Sequence, residues 1–237
     1  MTTSRKSAHI SAVRIAVVLF ANVICFVSLA QRSSAQNLVA NGDFSLGNTS
    51  FASDYNFTSI NTSQNQYTVS SNPHTWNGGF LSPPTWVDHS PSADNLALLV
   101  NGSVTAGEDV WRETFVGLTA NTNYTLSAWA SNLAPGSAPN PVLLQFFVNG
   151  APVGSQFTVG PGAPNWQQFG AIWNPGASTT ATISIRDANT DLEPNDFALD
   201  DISVATVPEP SPAWLVVVGL LAIAPYRSAL RKSHRTE

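Results

Sequence analysis

Residues 142–159 read VLLQFFVNGAPVGSQFTV, two short runs rich in apolar residues with a turn signal between them. The runs cover residues 142–148 and 152–159, and the pair between them is Asn149-Gly150. Asparagine and glycine tolerate the positive φ that the two-residue primed turn of a tight hairpin requires. We therefore predict two antiparallel strands joined by a tight turn.

Short strands and turns continue on both sides of this hairpin. Glycine, asparagine and proline mark the breaks, because the first two supply positive φ and proline fixes φ. No stretch of the body sustains the apolar period of a surface helix. The chain therefore predicts an all-β fold, a single β-sandwich over residues 36–206, in which the polar segment 48–75 forms long loops. The other predicted strands are Ala97 to Asn101, Val110 to Val116, Asn123 to Ser131, Trp166 to Trp173, Thr180 to Asp187 and Phe197 to Val204.

The alternation of side chains assigns faces to two of these strands. In the strand that begins near Tyr124, the even-numbered residues are apolar and are predicted to face the core, which leaves Trp129 on the outside. In the closing strand, Phe197 and Leu199 share one parity while Ile202 and Val204 share the other. A β-bulge at Asp200-Asp201 would shift the register once and bury all four.

The charge of the body excludes several classes of protein. Residues 36–207 contain thirteen acidic residues and two basic ones, Arg112 and Arg186. Nucleic-acid binding needs clustered Lys and Arg, so we expect no nucleic-acid partner. The only cysteine, Cys25, lies before the body. No nucleophile elbow, zinc-protease helix or phosphate-binding loop is present, so we predict that the protein is not an enzyme.

The N-terminus has the pattern of a secretory signal peptide. Basic residues precede an apolar run from Ile15 to Ala30, and small residues end at Ala35, the predicted cleavage position. We predict that residues 1–35 form a signal helix that is removed after export. An uncleaved anchor helix is the alternative, because the apolar run approaches the length that spans a bilayer.

The C-terminus, residues 207–237, combines three signals in a fixed order. The tripeptide Pro208-Glu209-Pro210 is followed by a short apolar helix, residues 213–224, and by a basic end. This arrangement resembles the PEP-CTERM sorting signal of Gram-negative bacteria. The resemblance implies a short transmembrane helix, passage through the inner membrane, processing by an exosortase at the tripeptide, and a final place at the cell surface or in an exopolysaccharide matrix. The alternative is a proline-rich hinge before an ordinary tail anchor.

Four segments of the body, in order, carry a second resemblance. They are NLVANGDF at 37–44, YTLSAW at 124–129, WQQF at 166–169 and DFALDDISV at 196–204. The set is similar to the galactose-binding-like jelly roll of bacterial carbohydrate-binding modules. The resemblance implies that the first and last strands pair, and that a structural calcium ion joins them.

The expected calcium ligands are Asp201 together with Asp200, Asp43 and backbone carbonyls. Carboxylates at a bend suit a hard cation that prefers oxygen ligands. Related modules usually have Glu where this chain has Ser45, so one expected carboxylate is missing. In the alternative, Asp200 accepts hydrogen bonds from backbone amides at the bulge.

Sugar modules bind by stacking pyranose faces on aromatic rings and by hydrogen bonding with planar polar groups. Trp129, Arg112, Gln145 and Arg186 fall on outward parities and would form a groove if their strands share a sheet. Trp76, with Trp86, would form a second platform on a loop. The alternative is that a crossing loop covers Trp129 and that the arginines pair with acidic residues.

Two functions follow from the sequence. The first is a non-catalytic protein of the cell surface or matrix that binds a polysaccharide or surface glycan. The second is a structural matrix or adhesion protein with no specific glycan ligand. An exposed tryptophan platform favours the first, and buried tryptophans favour the second.

Overall fold

A computed structural model of the chain describes residues 35–90, 93–133, 141–191 and 195–208. Residues Ala35–Val207 form one compact unit. The predicted signal and tail helices lie outside the described residues. Within the described ranges, no helix has the length and apolar character needed to cross a membrane.

The regular secondary structure of the body is almost entirely β, as predicted. Its elements are β1 (Asn56–Phe57), β2 (Gln66–Ser70), α1 (Pro73–Trp76), β3 (Ala97–Asn101), β4 (Asp109–Val116), β5 (Tyr124–Asn132), β6 (Leu143–Val148), β7 (Ala151–Thr158), β8 (Gln167–Trp173), β9 (Thr180–Asp187) and β10 (Asp196–Thr206). One sheet has the order β1-β2-β3-β10-β5-β8, and the other has the order β4-β9-β6-β7. The inner faces of both sheets pack into one hydrophobic core, so the predicted β-sandwich is confirmed.

The hairpin of residues 142–159 forms as predicted. Val148 pairs with Ala151, and the residues between them, Asn149 and Gly150, have φ of 50° and 80°. Both values lie in the left-handed region that a primed turn requires. The predicted core face of β5 is also confirmed, since Tyr124, Leu126, Ala128 and Ala130 are all buried.

The closing strand contains the predicted bulge. The register between β10 and β5 shifts between Asp200 and Ser203, and Asp201 has φ of 47°. All four apolar residues that the bulge was expected to bury are inaccessible to solvent: Phe197, Leu199, Ile202 and Val204. Burying both parities of one strand therefore required the single shift of register.

The N-terminal segment runs beside β10, although it is not a regular strand. The amide of Leu38 donates to the Val204 carbonyl, and the amide of Ile202 donates to the Gly42 carbonyl. Gly42 is required here because a Cβ at this position would lie 2.0 Å from the Ile202 carbonyl oxygen. The expected pairing of the first and last segments is therefore present as a close backbone contact.

The prediction that residues 48–75 form only loops was wrong. β2 pairs antiparallel with β3 along five residues, and β1 adds a short parallel strand outside it. The sequence is polar here because only Tyr67 and Val69 of β2 contact the main core, while the side-chain oxygen of Gln66 accepts hydrogen bonds from the amides of Thr62 and Ser63. A strand stabilised mainly by backbone pairing leaves little alternation in the sequence.

A second, smaller core covers the outer side of the six-stranded sheet. Residues 73–90 cross β3 and β10 and bury the outward-facing Leu99 and Ala198. Its other members are Trp76, Phe80, Trp86, Ala97 and Leu133. β3 and β10 are therefore buried on both faces at residues 97–100 and 197–199, which explains why these two stretches are apolar without interruption.

Candidate functional site

The outward side of the four-stranded sheet brings together three of the residues predicted to bind sugar. β4, β9 and β6 are consecutive neighbours, so the predicted sharing of one sheet is correct for Arg112, Gln145 and Arg186. It is wrong for Trp129, because β5 belongs to the other sheet. Asp109, Arg186 and Gln145 lie opposite one another in one row across the three strands. Arg112 lies in the next row, which ends at Phe147 on β6. We call this surface, formed by Asp109, Arg112, Gln145, Phe147 and Arg186, the arginine face.

A second β-bulge places the charged residues of β4 on one side. Asp109 pairs with Arg186 and Trp111 pairs with Ile185, so Val110 is an extra residue in β4. Without this bulge, Asp109 and Arg112 would point to opposite faces because they are three residues apart. With it, both charges lie on the arginine face while Val110 and Trp111 are fully buried.

Charges of alternating sign form a row along this face. Asp54, on a segment that pairs with the edge of β4 through Ala52 and Arg112, makes an ion pair with Arg112. Arg112 Nη1 lies 3.6 Å from Asp109 Oδ2, and Arg186 Nε donates to Asp109 Oδ1 at 2.6 Å. The arginines therefore have acidic partners, as the alternative anticipated, and the partners are not the sequence neighbours Glu113 and Asp187.

The ion pairs shift the ionisation of their members. Partial burial raises the pKa of Asp54, but hydrogen bonds from the Asp109 amide and from Arg112 lower this pKa by a larger amount. The net shift of the pKa is therefore downward. The hydrogen bond to Asp54 raises the pKa of Arg112. Both groups are therefore charged at neutral pH.

Phe147 supplies an aromatic ring that the sequence analysis missed. The guanidinium carbon of Arg186 lies 4.3 Å from the centre of this half-buried ring, a cation–π contact. Gln145 Nε2 donates to the Gly154 carbonyl at 2.8 Å, which fixes the amide beside Arg186. Phe147 has the same parity as Gln145 on one strand, so the pattern that identified Gln145 also contained it.

Trp129 lies on the other sheet, away from the arginine face. It faces outward from β5, and the imidazole of His89 stacks on it with 3.7 Å between ring centres and 16° between ring planes. His89 Nδ1 is 2.6 Å from Asp201 Oδ2, and Trp166 contacts the same imidazole edge-on. The crossing loop that the sequence left as an alternative is thus present and covers one side of Trp129.

The structure contradicts the predicted aromatic platform at Trp76 and Trp86. Trp76 is 2% exposed and Trp86 is completely buried, because both belong to the second core. Neither ring can stack on a ligand from solvent. The sequence suggested a rim because glycine and proline surround both residues.

Asp200 is a buried acceptor at the bulge. Its Oδ2 accepts the amides of His89 at 3.0 Å and Ser90 at 2.9 Å, and its Oδ1 accepts the amide of Asp201 at 2.8 Å. The Ser90 hydroxyl also donates to this carboxylate. Burial raises the pKa of Asp200 to about 6 despite these hydrogen bonds. Asp200 therefore holds residues 73–90 against β10. Hydrogen bonding to backbone amides is the role that the sequence offered as the alternative to calcium binding.

Asp200 does not fit the predicted calcium site, whereas calcium binding by Asp201, Asp43 and backbone carbonyls stays a prediction. Asp43 and Asp201 line a shallow pocket of about 340 Å³ beside β10, but Asp200 is not among its lining residues. Asp43 accepts from the amide and hydroxyl of Ser45. Within the described residues, no three His, Cys, Asp or Glu side chains lie close enough to share a metal ion. The lone pairs of Asp200 are directed at N–H and O–H donors, which is incompatible with a cation at the same place.

Two of the four predicted processing residues can be located. Ala35 and Pro208 are the first and last described residues, and Pro208 is exposed. Glu209 and Pro210 lie outside the described residues. Processing at these positions stays a prediction.

Several solved structures are loosely similar to this chain. The CBM22-1 xylan-binding domain of Xyn10C from Paenibacillus barcinonensis is 14% identical with a TM-score of 0.39, covering 63% of this chain and 91% of that one. TmCBM61 in complex with beta-1,4-galactotriose is 15% identical with a TM-score of 0.43, covering 73% and 100%. A cyclase from Fischerella sp. TAU is 12% identical with a TM-score of 0.48, covering 75% and 100%.

No protein-family model matches the chain, and no curated protein matches it. With TM-scores below 0.5, the structural likenesses are too loose to assign a function.

Proposed function

We propose that the chain is an exported, non-catalytic jelly-roll protein that binds a polysaccharide or surface glycan through the arginine face. The observation that carries this proposal is the convergence of Arg112, Arg186, Asp109, Gln145 and Phe147 on one outward sheet surface. These residues combine planar hydrogen-bonding groups with an aromatic ring, the combination that recognises sugars.

The ion pairs leave hydrogen-bonding capacity for a ligand. A guanidinium carries five N–H donors in a fixed fork, and each arginine directs only one nitrogen at its carboxylate partners. The side chains of Arg112 and Arg186 are 33% and 23% exposed. A sugar hydroxyl can therefore accept from an arginine and donate to a neighbouring carboxylate at this surface.

The cellular setting is proposed from the two ends of the sequence. In this proposal, the signal peptide is cleaved after Ala35, the tail enters the inner membrane transiently, and an exosortase processes the chain at Pro208-Glu209-Pro210. The body then reaches the cell surface or an exopolysaccharide matrix. A matrix polysaccharide is the partner that this location supplies.

Replacing Phe147 with alanine is the test of this site. We expect Phe147→Ala to weaken binding to a retained neutral polysaccharide by about tenfold, the size typical of a central aromatic contact. The measurement is affinity electrophoresis of the full chain, in a detergent without a sugar headgroup, through gels containing mannan, galactan or β-glucan.

Two controls locate the binding surface. Ile172→Ala removes an exposed apolar side chain from the other sheet and should leave retention unchanged. Trp129→Ala tests the opposite face directly. Retention that survives Phe147→Ala and disappears with Trp129→Ala would assign binding to the six-stranded sheet. It would refute binding through the arginine face.

The second candidate function is a structural matrix or adhesion protein. The burial of Trp76 and the coverage of Trp129 by His89 favour it, because both rings stabilise packing. A folded chain that no polysaccharide retards would support this alternative over glycan binding.

A further inference from the structure

We propose that the arginine face selects neutral, hydroxyl-rich glycans and discriminates against glycans that carry carboxylates. This inference rests on the proposed function and names the class of ligand for the same surface.

The positive charges of the face are already compensated. Asp54, Arg112, Asp109 and Arg186 alternate in sign, and the carboxylates equal the guanidiniums in number. Asp109 contacts both arginines, and its side chain is 12% exposed, so it is a fixed part of the surface. An incoming carboxylate therefore meets no net positive charge.

The rest of the body adds to this discrimination. Thirteen acidic residues stand against two basic ones in residues 36–207, and both of the basic ones are the paired arginines of the face. A glycan that carries uronates is negatively charged, and so is the body of the protein. Repulsion between like charges lowers both the affinity and the association rate. Salt reduces this repulsion, since screening shortens its range to about 8 Å at physiological ionic strength.

The chemistry of the row matches hydroxyl groups better than carboxylates. A hydroxyl both donates and accepts, whereas an ionised carboxylate only accepts. An oxygen of Asp54 or Asp109 lies beside each guanidinium donor, in the ion pairs described above. Successive sugar hydroxyls can satisfy both kinds of group, but a ligand carboxylate would place its oxygens against these acceptors.

The experiment compares matched ligands that differ in charge. Mannan, galactan and β-glucan are each used as prepared and after oxidation of their primary hydroxyls to carboxylates. The full chain, in the same detergent, is titrated with each pair at 50 mM and 500 mM salt. We expect the oxidised form of a bound polysaccharide to bind about tenfold more weakly at low salt, with a smaller difference at high salt.

A variant that removes one charge distinguishes the contribution of the arginine face to this selectivity from the contribution of the net charge of the body. Asp54→Asn removes one carboxylate of the row and frees Arg112 from its ion pair with Asp54. We therefore expect the ratio of the Kd for the oxidised polysaccharide to the Kd for the unoxidised one to fall at least about threefold. Asp191→Asn is the matched control, because it removes one exposed carboxylate elsewhere. Thermal melts establish that both variants are folded.

Three results would overturn the inference. Equal or tighter binding of the oxidised form would refute the selectivity and leave glycan binding intact. An equal effect of Asp191→Asn and Asp54→Asn would assign the discrimination to net charge instead of the face. Absence of binding to every form by a folded chain would refute the proposed function, and the inference with it.

Discussion

Replacing Asp200 with alanine is expected to lower the melting temperature of the chain by about 6 to 12 °C, which corresponds to about 3 kcal/mol. The carboxylate accepts the amides of His89, Ser90 and Asp201 and the Ser90 hydroxyl in a solvent-inaccessible position. Removing it leaves buried donors without partners, each at a cost of about 1–3 kcal/mol, partly offset because a buried charge is also removed. Thermal denaturation at pH 7.5 measures the effect.

The neighbouring carboxylate provides the control for this prediction. The side chain of Asp201 is 30% exposed beside the His89 imidazole, and asparagine tolerates its positive φ. Asp201→Asn should therefore change stability by less than about 1 kcal/mol. A melting temperature of Asp200→Ala close to that of the wild type would show that Asp200 does not hold residues 73–90 against β10.

The chain is expected to become more stable as the pH falls from 8 to 5. Burial raises the pKa of Asp187 to about 7 and that of Asp200 to about 6. Both values lie above those of the unfolded chain, so the folded state binds more protons in this range. The stability they contribute is complete below the unfolded pKa and is lost as the pH rises through 6 and 7. The expected difference is on the order of 2–4 kcal/mol, measured by thermal melts at constant ionic strength.

Asp187 carries the larger part of this dependence. Its Oδ1 accepts the amides of Leu143 and Asn189, whereas its buried Oδ2 has no partner among the described residues. Asp187→Asn keeps one acceptor and removes the charge, so it should flatten the profile and be at least as stable as the wild type at pH 8.

Asp54→Asn is the control for the pH profile. The lowered pKa of Asp54 means that its contribution is present above the unfolded pKa and is lost only as the pH falls through the folded value. Its slope between pH 5 and 8 should match that of the wild type. A profile that is flat or rises toward pH 8 would contradict the account of both buried carboxylates.

Most of the sandwich could be predicted because its signals are local. Alternation identified the core face of β5, Asn149-Gly150 identified the hairpin, and the change of parity after Leu199 identified the bulge. Each of these features is set by a few adjacent residues and by the two-residue period of a strand. β2 was missed because its pairing with β3 depends on backbone contacts that leave little pattern in a polar sequence.

The site was predicted less completely because it depends on long-range contacts. Parity correctly placed Arg112, Gln145 and Arg186 on the outside, but the partner Asp54 is 58 residues from Arg112. Trp76 is buried because residues 73–90 pack over β3, and no local sequence pattern specifies this packing. The position of Asp109 followed from a bulge that the sequence analysis did not anticipate.

The most direct test of glycan binding by the arginine face is a side-chain NMR titration of the ¹⁵N-labelled full chain with mannan, galactan and β-glucan oligosaccharides. Arg186 Nε–H donates to Asp109, and the Trp129 indole lies on the other sheet, so the two signals report the two faces separately. We expect the Arg186 Nε–H signal to shift saturably while the Trp129 indole signal stays in place. A shift of the Trp129 indole with Arg186 unmoved, or no shift of either signal, would contradict this expectation.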